Sequence, residues 1–252
     1  MISAVRYFIA FPLILLWAGV RLIGAALIRH PHRPGGIYDR SARDFGTSLM
    51  RSSRVKAVVQ GREHLDPNRP CVYIVNHSSF IDIWALLEEL PGTVRFVFKA
   101  ELTRVPVLGQ ALLAARHIRI NRQSRSAAFA AYDEAAKSVQ AGISAIVFPE
   151  GTRSPDGKLT AFKKGPFVLA IAAGVPVVPI LIEGAFELMP GGALYPRPGT
   201  VTLRVGAPIQ TTGMSYHDRD RLAVETTAAL EAMAPLVSRT STPSTHPGSD
   251  GS

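Results

Sequence analysis

From Val55 onward, short apolar runs rich in β-branched residues alternate with longer segments of helical periodicity. This alternation constrains the fold more than any other feature, because strands joined through helices form a sheet whose two faces are covered. The runs predict strands at Val55–Val59, Cys71–Val75, Val94–Phe98, His117–Ile120, Ile143–Phe148, Val177–Leu181 and Val201–Val205. The segments between and after them predict helices at Phe80–Leu90, Val107–Ala115, Ser124–Gln140, Phe162–Ala173 and His217–Met233. We therefore expect an α/β fold with a largely buried central sheet of about seven strands flanked by helices.

The N-terminal region is dominated by an apolar run from Tyr7 to Ile28, in which Arg21 is the one charged residue. A helix of this length just spans a hydrocarbon core of about 30 Å. Because a charge near the bilayer centre costs about 2.5–3.5 kcal/mol, we expect a helix that dips into one leaflet or lies tilted. A spanning helix is the second interpretation. A cleaved signal sequence, with Arg6 preceding the apolar run Phe8–Leu16, and a buried core helix are the other two.

Positive charge is concentrated in the same region. Residues 1–54 contain eight arginines and two aspartates, so they supply a net charge of +6 out of the +9 of the whole chain. Between Tyr38 and Leu49, apolar residues recur at helical spacing among these arginines. The pattern predicts an amphipathic helix on an anionic membrane surface or, equally, a helix packed on the following domain. Because little excess charge remains after residue 54, we expect a membrane surface and no nucleic acid as partner.

Composition divides the chain into three parts. We expect membrane-associating helices in residues 1–54, a catalytic domain in residues 55–237 and a disordered tail rich in Ser, Thr, Pro and Gly in residues 238–252. The single cysteine, Cys71, excludes an internal disulfide and a cysteine-based zinc site. The fingerprints of P-loop, dinucleotide-binding and α/β-hydrolase enzymes are absent from the sequence. We therefore predict no metal site and no bound cofactor.

Two predicted strands end in polar segments. Residues 76–82, NHSSFID, follow Cys71–Val75, and residues 149–154, PEGTRS, follow Ile143–Phe148. Ligands of open α/β sheets bind at the carboxyl ends of strands, so both segments are candidate sites. Asp82 can orient the imidazole of His77 while that ring takes a proton from a hydroxyl. The plainer interpretations are a capped helix start for the first segment and an ordinary Pro/Gly turn for the second.

Basic residues follow several predicted strands. These residues are Lys99, Arg119, Arg122, Lys163 and Lys164. If they converge, they form a pocket for an anionic group such as a phosphate. The alternative is a solvated positive face.

The segments NHSSFID, FPEGTRS and VPVVPI, taken together, resemble the motif set of the glycerolipid acyltransferase family, which includes the 1-acyl-sn-glycerol-3-phosphate acyltransferases. The resemblance covers Val55 to Gly206 and implies a glycerolphosphate-acyltransferase-like fold with a mixed sheet. It also implies that His77 is the general base and Asp82 its partner. The residues that it assigns to binding the acceptor phosphate are Lys99, Arg122, Glu150, Gly151, Thr152 and Arg153. Those that it assigns to the acyl-donor region are Val175, Pro176, Val177 and Pro179.

One motif departs from the family pattern. The element G-x-I-F-I-x-R corresponds here to residues 116–122, RHIRINR, in which Arg116 and Arg119 replace Gly and Phe. The departure leaves the acceptor open between lysophosphatidate and another lysophospholipid or a lyso-aminolipid.

The resemblance implies direct transfer of an acyl chain from acyl-CoA or acyl carrier protein to the free hydroxyl of lysophosphatidate, making phosphatidate for phospholipid biosynthesis. We expect a membrane-associated enzyme whose catalytic domain lies on the cytoplasmic face of the inner or plasma membrane. Two alternatives come from other classes. The first is a hydrolase with Ser78 or Ser79 as nucleophile, and the second is a non-enzymatic basic module that binds membranes.

Overall fold

The computed structural model of the chain describes residues 2–120 and 125–234. Its helices are α1 (Ile2–Leu27), α2 (Ile37–Ser53), α3 (Ile81–Glu89), α4 (Leu108–Ala114), α5 (Arg125–Gln140), α6 (Gly165–Ala173), α7 (Ala185–Leu188) and α8 (Arg219–Met233). Its strands are β1 (Val55–Gln60), β2 (Val72–Val75), β3 (Val94–Lys99), β4 (Ile118–Ile120), β5 (Ser144–Val147), β6 (Val177–Glu183) and β7 (Gly199–Val205).

The seven strands form a single mixed sheet in the order β1-β7-β6-β2-β5-β3-β4. All neighbouring strands are parallel except β6 and β7, which pair in antiparallel fashion. The α/β fold with a mixed, buried sheet is therefore confirmed, and every predicted strand is present. The sequence did not predict α7, because a helix of one turn is too short to show a period.

The sheet is covered on both faces, which explains its apolar strands. All four residues of β2 are buried, and their side chains alternate between two apolar clusters. One cluster includes residues of α2 and α3, and the other includes residues of α5, α6 and α8. Because β2, β5 and β3 are adjacent and parallel, their carboxyl ends meet at one edge. The loops that follow these three strands are thereby brought together.

Helix α1 lies along the folded domain and packs against α2 and α4. At one end, the Arg6 Nε donates to the carbonyl of Ser52 at 2.8 Å, where α2 ends. Near the other end, Arg21 forms an ion pair with Asp44 of α2 at 2.9 Å. The charge that disfavoured a spanning helix therefore has a partner on the neighbouring helix. Among the described residues, α1 is the one helix long and apolar enough, over Ala4–Leu27, to cross a membrane.

Helix α2 is also integrated into the domain. It packs on α3, and its Leu49 and Met50 side chains are completely buried in the core. Its packing agrees with the interpretation of the amphipathic segment as a helix packed on the following domain. The division of the chain at residue 54 stays a prediction, and the predicted tail, residues 238–252, lies outside the described residues.

Candidate active site

The turn that follows β2 is anchored to the neighbouring strand β6. Asn76 donates from Nδ2 to the carbonyl of Ile182 at 2.9 Å, and its Oδ1 accepts the amide hydrogen of Ile182 at 2.7 Å. Both partners are buried. A side-chain amide that replaces a pair of sheet hydrogen bonds fixes the direction in which the chain leaves β2. The next residue, His77, starts from this fixed point.

His77 is oriented by Asp82, which lies in the first turn of α3. The His77 Nδ1 is 2.9 Å from Oδ2 of the fully buried Asp82. The same oxygen accepts the amide hydrogens of Ser78 and Ser79, each at 2.8 Å. Asp82 therefore caps the helix start and holds the imidazole at once, so the two interpretations of this segment are compatible. With Nδ1–H donated to the carboxylate, Nε2 has no partner among the described residues.

The ring of His77 lies at the surface of a cavity. Its side chain is 13% exposed and stacks on Phe148 with a centroid distance of 3.9 Å. Phe148 comes directly after β5, so the second polar segment begins against the imidazole. The described residues place His77 where a ligand can reach its free nitrogen while the rest of the ring is shielded.

Glu150, from the loop after β5, holds the backbone of His77. Its Oε1 accepts the amide hydrogen of His77 at 3.0 Å, and its Oε2 accepts the hydroxyl hydrogen of Thr160 at 2.8 Å. Burial raises the pKa of Glu150, and the two hydrogen bonds act against that rise. The amide of Ser154 donates to the carbonyl of His77 at 2.7 Å. The geometry therefore directs Glu150 at His77, whereas the resemblance implied that it binds phosphate.

The cavity has a volume of about 480 Å³. Its mouth carries the polar side chains at the carboxyl edge of the sheet, and its walls are apolar. The wall residues include Leu15 and Leu22 of α1, Phe45 of α2, Leu87 of α3 and Leu112 of α4. Helices assigned from composition to membrane contact thus form part of the candidate site.

Two cations stand at the mouth of the cavity. Lys99 ends β3 and is exposed, and the Arg153 guanidinium lies 4.2 Å from the centroid of the Phe80 ring. Neither forms an ion pair with a described residue. Thr152 and Gly151 line the same mouth, and Gly151 has φ +78°, a conformation that favours glycine. The mouth can therefore attract an anionic group beside His77.

Other predicted site residues lie elsewhere. Val175, Pro176, Val177 and Pro179 are buried in and before β6, and none of them lines this cavity. Arg122 lies outside the described residues. Arg116, which stands where the family pattern has Gly, has φ +57°, so this position adopts the left-handed conformation that glycine favours.

Two residues beside the predicted site make contacts that the sequence did not predict. Asn76 precedes the predicted histidine, but its pairing with Ile182 depends on contact with a strand far along the chain. His117 also lines the cavity, and its Nδ1 accepts the amide hydrogen of Phe96 at 2.9 Å. Burial and the nearby charge of Arg95 lower the pKa of His117 to about 3. No local signal distinguishes such a histidine from one at an ordinary strand start.

Comparison with known proteins gives a consistent result. The family profile described as Acyltransferase matches residues 56–183. A 1-acyl-sn-glycerol-3-phosphate acyltransferase of Chlamydomonas reinhardtii is 37% identical over 174 residues, which are 67% of this chain and 52% of that protein. A relative of the same name from Limnanthes alba is 34% identical over 217 residues, which are 84% of this chain and 75% of that protein.

A solved structure is also similar. The 1-acyl-sn-glycerophosphate acyltransferase PlsC of Thermotoga maritima superimposes with a TM-score of 0.72 at 26% identity, covering 92% of this chain and 93% of that one. The chain spans about half the length of the Chlamydomonas relative.

Proposed function

The chain belongs to the acyltransferase family, and from that membership we propose that it transfers an acyl chain from a thioester donor to the free hydroxyl of lysophosphatidate. The membership confirms the resemblance seen in NHSSFID and FPEGTRS. The product is phosphatidate, and the reaction belongs to phospholipid biosynthesis. The observation that carries the proposal is the pairing of His77 with Asp82 at the mouth of an apolar cavity.

In the proposed reaction His77 is the general base. Its Nε2 takes the proton of the acceptor hydroxyl while Asp82 stabilises the resulting imidazolium. The acceptor oxygen attacks the thioester carbonyl, a C–O bond forms, and the C–S bond then breaks. The leaving thiolate takes the proton back from His77, so the enzyme returns to its starting state. No enzyme nucleophile is required, since a thioester is already activated.

The serine-hydrolase alternative has little support in this turn. The Ser79 hydroxyl donates to the carbonyl of Met189 at 2.8 Å and accepts the amide hydrogen of Ile81 at 3.2 Å. Ser79 is fully buried, and Ser78 is nearly so. A nucleophile must be accessible and lie within reach of its base. The direct-transfer mechanism needs neither serine.

The acceptor phosphate is proposed to bind at the cations of the cavity mouth. Lys99 and Arg153 approach the mouth from different loops, and Arg153 can bind a phosphate through two parallel hydrogen bonds. Arg119 of β4 is exposed and pairs in register with Phe98 of β3. Its positive charge therefore lies on the same face of the sheet as Phe98, which lines the cavity. These charges favour an anionic acceptor over a lyso-aminolipid.

The donor's acyl chain is proposed to occupy the apolar cavity. Its walls come from four helices, and such lining is suited to a hydrocarbon chain whose thioester remains at the polar mouth. The carrier of the chain is coenzyme A or acyl carrier protein. No bound cofactor takes part in the proposed reaction.

The protein is proposed to work at a membrane, with the catalytic domain on the cytoplasmic face. The outward face of α1 exposes large apolar side chains along its length. Exposed apolar surface of this extent marks a protein or membrane contact. Acyl thioesters are supplied from the cytoplasm, which supports a catalytic domain on that face.

An acyl-transfer assay tests the proposed function. The full-length protein in detergent micelles is mixed with radiolabelled palmitoyl-CoA and a panel of lyso-lipids that differ in headgroup. We expect labelled phosphatidate to form from lysophosphatidate faster than any other product. Preferential labelling of a zwitterionic or aminolipid acceptor would overturn the assignment of the acceptor, and hydrolysis alone would overturn acyl transfer.

A further inference from the structure

The loop that joins α7 to β7 carries an exposed apolar tip. This tip loop comprises residues 190–198, within which Leu194 is 74% exposed and Tyr195 is 42% exposed. The loop is held in place, because the amide of Arg197 donates to the carbonyl of Leu188 at 2.8 Å. Two neighbouring large apolar side chains are thereby kept in contact with solvent by an ordered segment.

The tip loop continues the exposed apolar face of α1. The Tyr195 ring lies edge-on to Phe8, with the centroids 6.1 Å apart. Phe8 is 52% exposed and belongs to a row of exposed side chains along the helix. The other members of the row are Val5, Ile9, Leu13, Leu16 and Val20. Together the loop and helix present one contiguous apolar surface, which marks an interaction site rather than scattered exposed residues.

Positive charge borders this apolar surface. Arg197 is exposed in the tip loop, and Arg51 and Arg54 are exposed where α2 ends. The amide of Gly199 donates to the carbonyl of Arg54 at 3.2 Å, which brings the end of α2 beside the loop. Glu187 is the one exposed acid in α7 and the tip loop. Apolar side chains bordered by arginines match a bilayer whose headgroups are anionic.

The tip loop is also tied to the catalytic turn. Ser79, between His77 and Asp82, donates its hydroxyl hydrogen to the carbonyl of Met189 at 2.8 Å. Ser79 and Met189 are both buried, and Met189 immediately precedes the tip loop. A contact that fixes the position of the tip loop therefore also affects the turn that holds His77.

We propose that the tip loop is a second membrane-contacting element, which inserts Leu194 and Tyr195 among anionic lipid headgroups beside α1. The proposal rests on the membrane location proposed above. A single helix at a surface leaves the protein free to rotate about the helix axis. A second contact beside that axis fixes the rotation. The His77–Asp82 turn is then held at one orientation toward the lipid acceptor.

Site-specific labelling tests the contact directly. An environment-sensitive fluorophore is attached to Leu194→Cys in the full-length protein, which is then bound to vesicles of equal parts phosphatidylcholine and phosphatidylglycerol. Val224→Cys is the matched control, because Val224 on α8 is 70% exposed. The native Cys71 does not compete for the label, since burial raises its pKa to about 11.

We expect the label at Leu194 to shift to shorter emission wavelengths and to be quenched by nitroxide-bearing lipids, while the label at Val224 shows neither effect. Vesicle binding with both labels equally exposed to water overturns the role of the tip loop and leaves the membrane location standing. Absence of vesicle binding overturns both. A shift that appears without vesicles and grows with protein concentration shows that a second copy of the chain covers the tip, which also contradicts the proposal.

A charge substitution supplies a functional readout. Leu194→Glu places a negative charge among anionic headgroups, and we expect acyl transfer to vesicle-embedded lysophosphatidate to fall about tenfold, as for loss of one buried apolar side chain. Val224→Glu is expected to leave this rate unchanged. In detergent micelles both variants are expected to match the wild type. Equal rates of the two variants on vesicles would contradict the proposal.

Discussion

Two histidines line the same cavity at different depths, and their partners give them opposite properties. His77 stands at the mouth and donates its Nδ1 hydrogen to the carboxylate of Asp82 at 2.9 Å. His117 accepts a hydrogen on Nδ1 from the amide of Phe96 at 2.9 Å. Since β4 pairs Ile118 with Val97, His117 lies about 10 Å below the end of β3. The hydrogen-bond partner of Nδ1, rather than the shared cavity, decides which ring nitrogen carries the proton.

The difference extends to the charge that each ring can accept. At the mouth, the buried carboxylate of Asp82 can stabilise the imidazolium that the proposed general base becomes. Deeper in the cavity, burial and the charge of Arg95 lower the pKa of His117 to about 3. Arg95 forms an ion pair with Asp39 of α2 at 2.8 Å, so the carboxylate of Asp39 is already bound to a cation. A histidine paired with a buried carboxylate therefore stands above one whose pKa is lowered by burial.

Substitution of each histidine is expected to separate the two by activity. His77→Ala removes the general base, and we expect kcat to fall ~10²–10⁴-fold. His117→Gln, which keeps an acceptor for the Phe96 amide, is expected to leave kcat nearly unchanged. Steady-state acyl transfer measures both, with circular dichroism as the control for folding. Comparable losses in the two variants would contradict the distinction.

The next effect concerns the cations of the mouth. Arg153→Ala removes a charge-assisted contact of about 1.5–3 kcal/mol, and we expect the KM for lysophosphatidate to rise roughly 10- to 150-fold. Arg153→Lys is expected to recover only part of this, because an ammonium group cannot form the paired hydrogen bonds of a guanidinium. The KM for acyl-CoA is the internal control. If that constant alone rises, the loop binds the donor.

A smaller effect tests whether Glu150 positions His77. Glu150→Ala leaves the His77 amide without an acceptor, a loss of about 1–3 kcal/mol, and we expect kcat to fall while the KM for lysophosphatidate stays constant. Glu150→Gln keeps an oxygen for the amide and is expected to retain most of the activity. Separate determination of kcat and KM distinguishes this role from phosphate binding. A rise in KM without a fall in kcat would support the phosphate-binding role that the resemblance implied.

The last effect is on stability rather than on activity and involves His117. The unfolded imidazole accepts a proton near pH 6.5, whereas the folded ring does so only near pH 3. The unfolded state therefore binds more protons between these values, and stability present above pH 6.5 is lost as the pH falls. Thermal denaturation of the wild type and His117→Gln measures this. We expect the melting temperature of the variant to fall less steeply with decreasing pH, and parallel curves would show that His117 is not held neutral.

The sequence predicted the sheet and the contact of His77 with Asp82 because both depend on local signals. Each strand is a short apolar run, and His77 and Asp82 are only five positions apart within one turn. The contact of Glu150 with His77 could not be predicted, because it depends on an amide that lies 73 positions earlier. The pairing of Arg21 with Asp44 was missed for the same reason, since it joins two helices. The walls of the cavity likewise form only when α1 and α2 pack on the domain.

The proposed mechanism is direct transfer, in which His77 activates the acceptor and no acyl-enzyme forms. The most direct test is the release of coenzyme A from palmitoyl-CoA by the full-length enzyme before lysophosphatidate is added. Direct transfer predicts no rapid release stoichiometric with enzyme, followed by steady release once the acceptor is present. A stoichiometric burst in the absence of acceptor, with a matching acyl adduct in the intact mass of the protein, would contradict it.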